Sequence, residues 1–471
     1  MQLRDKKILV VGAARSGIGS ANLLSMMGAD VTITDKKDAI ELTKLDSLST
    51  SVRRVLGRYP DLSGMDLIVV SPGVPLDIEP LRDAKAKGVK IIGELELAYR
   101  VVKDNKGFGL ANSEFLAITG TNGKSTTTTL LNLMLREGGF NTILGGNIGN
   151  ALTEEILRVI KSKKPHEELI PVRFVTEVSS FQLESIEAFK PRVAAILNIT
   201  PDHLDRYRTM KDYVEAKANI FLRQDNEDYL VLNRDDEEVM NLYESRLRPK
   251  KDSPLVFFFS RKKEVKGLYS RGGKVYCNIP GIYPYQELID VDEIMIKGLH
   301  NLENAMAASV MAILAGCSID AVKKVLMSFK GLEHRLEFVR EVDGVRFIND
   351  SKGTNVGAVV KSLEGFTKPV ILIAGGRDKE GDFTLLRSLV KEKVKCLILI
   401  GEAREKIRDS LGDLTETVMS TTLEEAVRLA KQKALKGDVV LLSPACASFD
   451  MFMDFEDRGR RFKEIVWRLK N

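Results

Sequence analysis

A chain of 471 residues, 44% hydrophobic and 29% charged, is long enough for about three domains and apolar enough to bury real cores. Its net charge of +5 is small for that length, which argues against nucleic-acid binding and carries little further meaning. Four cysteines, Cys277, Cys317, Cys396 and Cys446, lie far apart with no C-x-x-C pair. That excludes a zinc ribbon or a disulfide framework and fits a reducing compartment. MQLRDKKILVVG enters a strand directly, and no apolar run approaches membrane-spanning length, so a soluble cytoplasmic protein is expected.

The first hundred residues read as a nucleotide-binding α/β domain. Lys6 to Val11 is an apolar strand, residues 12–17 (GAARSG) form a turn, and Ile18 to Met27 is a helix. The next strand, Ala29 to Thr34, ends at Asp35. This is the dinucleotide fingerprint with Ala14 in place of the middle glycine. A further strand, Asp66 to Val70, runs into Ser71-Pro72-Gly73-Val74-Pro75, a stiff loop at an edge where open parallel sheets bind ligands. Two uses fit: a nicotinamide dehydrogenase with Asp35 on a ribose, or a site for another nucleotide such as a UDP-sugar. The polar stretch 101–112 (VVKDNKGFGLAN) is expected to be a linker.

The strongest stretch follows it. Phe115 to Ile118 reads as a buried strand, Gly120-Thr121-Asn122-Gly123 as a glycine turn, and Lys124-Ser125-Thr126 opens a helix that ends at Gly138-Gly139. Glycines let backbone N–H groups approach an anion, and the helix N-terminus adds partial positive charge. Lys124 would reach the outer phosphates and the Ser125 hydroxyl would face Mg²⁺. The usual first glycine of such loops is replaced by Ile118. A dehydrogenase has no need of a phosphate loop, so this stretch favours the non-redox use of the first domain.

Residues 141–149 (NTILGGNIG), 173–178 and 193–199 read as strands ending in polar turns. Glu177 stands at one strand end, where a carboxylate could ligate Mg²⁺; taken alone it is a strand-end glutamate in solvent. His203, in TPDHLDR, could hold a second metal or touch phosphate, or be an ordinary loop histidine. Lys217 lies in a helical stretch and, taken alone, is a surface lysine. Asn301 and Asn304 are three apart on a helix and can face one ligand, with an N-cap at Asn301 as the other reading. The runs 229–232, 255–260 and 274–279 are expected to form a small antiparallel patch. Beyond Gly331, strands at 345–349, 369–374, 394–400 and 438–442 alternate with helices and give another parallel sheet. The loops NDSKGTN, GGRDK and SPACASFD offer Lys352, Arg377, Lys379, Thr354 and Ser448, cations and hydroxyls suited to an anionic amino acid.

GTNGKST, GGNIG, EVSSFQLE, TPDHLDRY, GLHNLENAMAA, EHRLEFV, NDSKGTN, GGRDKEGDF and SPACASFDMF together resemble the Mur ligases, the amino-acid-adding enzymes of peptidoglycan synthesis, and span essentially the whole chain. The resemblance implies an α/β protein of three domains. Residues 1–102 would be a Rossmann-like domain for a UDP substrate. Residues 103–330 would be a central P-loop ATPase domain with a mainly parallel sheet and a small antiparallel patch. Residues 331–471 would be a Rossmann-like domain for the amino acid. It implies a monomer using ATP, two Mg²⁺ ions, UDP-N-acetylmuramoyl-L-alanine and D-glutamate, with no nucleic-acid or membrane partner.

It also implies roles. Ser125 and Glu177 would hold one metal, His203 and a carbamylated Lys217 the other, with Lys124 on the transferring phosphate. ATP would lie on Gly120, Thr121, Asn122, Gly123, Lys124, Ser125 and Thr126, with Asn301, Asn304, Arg335 and Asp350 around the adenosine. Arg15, Ser16, Asp35, Lys36, Ser71, Gly73, Asn147 and Ser179 would contact the UDP substrate. Lys352, Thr354, Lys379, Ser448 and Phe455 would hold D-glutamate. The rivals are a sister ligase for another amino acid, a folylpolyglutamate synthetase, and a nucleotide-binding protein without turnover.

Overall fold

Short strands that are apolar along their whole length, such as Leu67–Val70 (LIVV), belong in parallel sheets covered by helices on both faces, and three such sheets form. The computed structural model describes residues 2–37, 45–62, 64–104, 109–162, 170–202, 206–247, 252–367, 369–378 and 381–470. Among them the chain divides into two compact units, Met1–Phe329 and Lys330–Asn471. No helix of the described residues is long and apolar enough to cross a membrane.

The first sheet comprises β1 (Lys7–Val11), β2 (Asp30–Asp35), β3 (Arg53–Leu56), β4 (Leu67–Val70) and β5 (Lys90–Gly93), ordered β3-β2-β1-β4-β5 and wholly parallel. Strand order reverses between β1 and β4, so the loops after these two strands diverge and open a crevice at their C-terminal ends. Gly12 and Ser71 stand there. β3 and β5 were not legible in the sequence: each has four residues, and the RRVL of β3 leaves its arginines exposed at the sheet edge.

The second sheet holds β6 (Glu114–Thr119), β7 (Thr142–Gly146), β8 (Arg173–Glu177), β9 (Val193–Ile196), β10 (Tyr229–Asn233), β11 (Leu255–Ser260), β12 (Gly267–Arg271), β13 (Lys274–Ile279) and β14 (Tyr283–Asp290). Its order is β14-β13-β12-β11-β10-β9-β6-β8-β7. The expected antiparallel patch lies farther along than the sequence implied. β10 and β11 continue the parallel sheet, and only β12, β13 and β14 pair antiparallel. β6 sits between β8 and β9, so the loops after these three strands are neighbours.

The expected linker is also corrected. Glu94–Asp104 is a helix with Val101 and Val102 buried, and residues 105–108 lie outside the described residues. This helix bolts the first sheet's domain to the second. Glu94 accepts Thr153 N at 2.8 Å and Thr153 Oγ1 at 2.9 Å. Glu96, fully buried, accepts Glu187 N at 2.9 Å and Phe189 N at 3.0 Å, and both its oxygens take Ala188 N. The Arg100 guanidinium closes the cluster at 2.5 Å from Glu96 Oε1.

The unit from Lys330 carries β15 (Glu337–Val342), β16 (Val345–Asn349), β17 (Val370–Gly375), β18 (Val394–Ile400), β19 (Glu416–Met419) and β20 (Val439–Leu442), ordered β15-β16-β20-β17-β18-β19. It is parallel except for β15, an antiparallel edge strand that the sequence reading missed along with β19. Buried residues fill both faces of this sheet.

Glu96→Ala leaves three N–H groups, one of them buried, and a guanidinium without their carboxylate. It should destabilise the first unit by about 3 kcal/mol, read as a lower urea midpoint of its unfolding transition. An unchanged midpoint would mean that the bolt contributes nothing.

Candidate active site

The phosphate loop lies between β6 and the helix Lys124–Glu137, and its shape depends on two glycines. Gly123 has φ +84°, and a Cβ there would stand 2.2 Å from Asn304 Oδ1. A Cβ on Gly120 would meet Leu197 Cβ at 3.0 Å. No side chain caps the helix, so the N–H groups of its first turn are left to a ligand. The loop is pinned from β9: Asn198 Oδ1 accepts Asn122 N at 2.8 Å, and Asn198 O accepts Thr121 N at 2.9 Å. Asn198 was read only as part of a polar turn; its signal was a lone amide at the end of the apolar run VAAIL.

Lys124 Nζ donates to Gly120 O and Thr121 O, both at 2.8 Å. Lys217 Nζ donates to the same Gly120 O at 3.0 Å and lies 4.4 Å from the centre of the Tyr213 ring. Lys217 is 1% exposed, so it is no surface lysine. Burial first, and then the neighbouring Lys124 ammonium, push its pKa down to about 7, against a smaller upward pull from Asp202. Tyr213 also reaches the loop, its hydroxyl 3.2 Å from Thr121 Oγ1.

Glu177 closes β8 and is 2% exposed, which overturns the reading of a carboxylate in solvent. Its Oε1 accepts Asn147 Nδ2 at 2.8 Å, while the buried Oε2 has no hydrogen-bond partner among the described residues. A buried, unmatched carboxylate oxygen fits a hard divalent cation, and the Ser125 hydroxyl opens the helix that follows the adjacent strand. His203 lies outside the described residues. Among those described, no group of three or more His, Cys, Asp or Glu side chains converges. Asn301 and Asn304 stand together, Asn304 Nδ2 donating to Asn301 Oδ1 at 3.3 Å, and Asn304 Oδ1 takes Thr127 Oγ1 at 3.3 Å. Asn301 is not an N-cap; Gly298 occupies that place.

In the first domain Gly17 is required, since a Cβ there would fall 1.7 Å from Gly12 O. Asp35 turns back on its own loops, Oδ2 taking Ala13 N at 2.7 Å and Oδ1 taking Lys37 N at 3.0 Å. Ser71 Oγ donates to Gly12 O at 3.1 Å, tying the two loops of the crevice together. Lys36 and Gly73 are exposed at the strand ends, and Ser16 is half-buried in the first turn of its helix. The Arg15 guanidinium donates to Gly149 O, in the same turn as Asn147. Ser179 caps the short helix Ser180–Leu183 and shares a capping box with Gln182.

In the second unit, Asp350 is buried: Oδ2 accepts Ser362 Oγ at 2.6 Å and Ser443 Oγ at 2.7 Å, and burial raises its pKa. Arg335 is half-buried in the turn before β15, its positive charge opposing that rise at Asp350. Lys352 Nζ lies 5.9 Å from the Phe455 ring centre. Thr354 is half-buried in the same loop, Ser448 is 2% exposed, and Lys379 lies outside the described residues. Sequence reasoning missed Arg458, whose buried guanidinium donates to Ser351 Oγ and Ser351 O, each at 2.9 Å, and to the Cys446 and Ala447 carbonyls. Its spacing was the available signal: three residues after Phe455 and four before Phe462, it shares their inward face.

These loops and strands belong to one family. The chain matches the Mur ligase MurD-like N-terminal domain over residues 6–93, the Mur ligase middle domain over 118–312 and the Mur ligase glutamate ligase domain over 334–446. The protein is a member of the Mur ligase family. It is 46% identical over 470 residues, 99% of this chain and 98% of the relative, to a UDP-N-acetylmuramoylalanine–D-glutamate ligase of Geotalea uraniireducens. It is likewise 46% identical over 475 residues to the ligase of that name from Trichlorobacter lovleyi, with 100% of both chains covered. Among solved structures it resembles MurF of Acinetobacter baumannii, with TM-score 0.60, 16% identity and 98% and 94% of the two chains covered. UDP-N-acetylmuramate–alanine ligase MurC of Thermotoga maritima gives TM-score 0.57, 18% identity and 99% and 100% coverage.

The lowered pKa of Lys217 has a stability consequence. From pH 7 to about 10 the unfolded chain keeps the proton that the folded chain has released, its ordinary value being 10.5. Stability should therefore rise with pH across that window, by up to about 1.4 kcal/mol per unit, and be lost as pH falls toward 7. Lys217→Met, unfolded with urea in CO₂-free buffer, should flatten this slope. Parallel wild-type and variant curves would refute it.

Proposed function

We propose that this protein is an ATP-dependent ligase that joins D-glutamate to UDP-N-acetylmuramoyl-L-alanine in cytoplasmic peptidoglycan precursor synthesis, working as a monomer. The observation that carries the reading is the phosphate loop on which Lys124 and Lys217 share the Gly120 carbonyl, in a chain 46% identical along 99% of its length to a D-glutamate ligase. Residues 1–102, 103–330 and 331–471 would serve the UDP substrate, ATP and the amino acid in turn.

A carboxylate is a poor electrophile in water, so the muramoyl-alanine carboxylate must first take the γ-phosphoryl of ATP and release ADP. The D-glutamate amine then attacks the acyl phosphate, loses a proton, and the tetrahedral intermediate expels phosphate to leave an amide. Lys124 would neutralise charge on the transferring group, and the N–H groups of residues 120–126 would orient it. Ser125 and Glu177 would hold one Mg²⁺, His203 and modified Lys217 a second. Bound there, the ions would draw charge from the phosphoryl oxygens. Asn301, Asn304, Arg335 and Asp350 would serve the adenosine. Arg15, Ser16, Asp35, Lys36, Ser71, Gly73, Asn147 and Ser179 would serve the UDP-muramoyl substrate. Lys352, Thr354, Lys379, Ser448 and Phe455 would hold the D-glutamate carboxylates.

Phosphate release on UDP-N-acetylmuramoyl-L-alanine and ATP should require D-glutamate and not L-alanine, L-lysine or diaminopimelate. Preference for another amino acid would make this a sister ligase, and no release with any would leave only nucleotide binding. Lys124→Ala should lower the rate at least about 100-fold with an unaltered circular dichroism spectrum.

With its pKa pushed down to about 7, the buried Lys217 has a share of its amine uncharged near neutral pH, which could add CO₂, lose a proton and become an anionic oxygen ligand. Lys217→Ala should be inactive and regain part of the rate with added formate or acetate. Near-normal activity of the variant without additive would exclude the carbamate.

A further inference from the structure

One continuous set of contacts joins the crevice loop of the first domain to the phosphate loop, and the roles above leave Arg206, Glu184, Tyr207 and Tyr213 unassigned. Its hub is Arg206, which follows β9 and whose side chain is 19% exposed. Nη1 donates to Pro72 O at 3.2 Å and Nη2 to Glu184 Oε2 at 2.7 Å, while the guanidinium lies 4.2 Å from the centre of the Phe181 ring. The other Glu184 oxygen accepts the Tyr207 hydroxyl at 2.5 Å. The Tyr207 ring stacks on Phe181 at 6.0 Å and packs on Tyr213 at 5.2 Å. Tyr213 then reaches Thr121 in the phosphate loop and lies under Lys217.

A trans peptide carries its carbonyl and the following N–H on opposite sides. Holding Pro72 O toward Arg206 therefore turns the Gly73 N–H away from it. A Cβ on Gly73 would meet nothing within 4 Å, so this peptide sits on open loop. Glu184 neutralises the guanidinium, which makes Arg206 poorly suited to gripping a substrate anion itself. Its fork matches one carboxylate and one carbonyl, a geometry that a lysine cannot reproduce.

We infer that Arg206 is a positioning residue that, through Glu184 and Tyr207, fixes the Ser71–Gly73 loop in register with the phosphate loop. The nucleotide-sugar substrate thereby meets an oriented Gly73 peptide. This rests on the reading that loop 71–73 binds the UDP moiety.

The test uses the full chain. Arg206→Ala should raise the KM for UDP-N-acetylmuramoyl-L-alanine roughly 10- to 100-fold, with affinity for a non-hydrolysable ATP analogue within about 2-fold by calorimetry. Arg206→Lys should recover only part of the loss. Glu184→Gln should raise the same KM about 10-fold, and the double variant should be no worse than Arg206→Ala, because both act through one contact. An unchanged KM in Arg206→Ala overturns the inference. So does a Glu184→Gln enzyme at or below the wild-type KM while Arg206→Ala is impaired, since Arg206 would then bind substrate directly. If Arg206→Ala does not fold, Arg206→Lys and Glu184→Gln decide the matter by the same readouts. A wild-type protein without amino-acid-dependent phosphate release would refute the functional reading instead. Calorimetry with UDP alone would then still test Arg206.

Discussion

Two ammonium groups on one backbone carbonyl set the terms for the centre of this molecule. Lys124 and Lys217 both donate to Gly120 O, which places the two amines side by side against one turn of the loop. Their mutual repulsion is not relieved by solvent, because Lys217 is buried. Burial first, and then the neighbouring Lys124 ammonium, therefore push the Lys217 pKa down to about 7. The Asn198 clamp and the tight fit against Leu197 hold the Gly120 carbonyl where both lysines reach it.

The second constraint is rigidity between the first two sheets. Glu94 and Glu96 lie on one helix and clasp two separate stretches of the neighbouring domain, at Thr153 and at 187–189. Arg15 on Gly149 and Arg206 on Pro72 add links on the ligand side. The β1/β4 crevice loop and the phosphate loop thus have their separation set by protein contacts, which would lower the ordering cost of any ligand that reached both.

Much of this was legible in the sequence because local chemistry and tertiary role coincide. The strand, glycine turn and Lys-Ser of 115–125 stand where the pattern put them, as do the parallel strands at 345–349, 394–400 and 438–442 within a residue. Errors fell where the chain is locally ambiguous. Residues 101–104 look polar enough for a linker, yet Val101 and Val102 face inward on a helix whose other face carries the charges. Strands β10 and β11 were assigned to an antiparallel patch because nothing in a five- or six-residue apolar run encodes the direction of its partner. The burial of Lys217 and Arg458 was illegible for a different reason. A cation inside a protein is explained only by carbonyls distant in sequence, Gly120 for one and Ser351, Cys446 and Ala447 for the other.

That last pattern recurs across the molecule. Glu96 is held largely by N–H groups, Asp350 by serine hydroxyls and an N–H, Arg458 by carbonyls and a hydroxyl, and Lys217 by a carbonyl. Neutral dipoles satisfy hydrogen-bonding demand while cancelling little of the net charge, so burial remains the largest cause of the shifts at Lys217, Asp350 and Arg458. Bonds to backbone are also insensitive to salt and fixed in geometry, unlike exposed ion pairs. At the ends of β6 and β8 this leaves the positive loop of Lys124 and, on the neighbouring strand, Glu177 with one oxygen bonded to Asn147 and the other facing no protein donor among the described residues. A metal-bound, polyanionic ligand is the kind of partner that satisfies both signs at once.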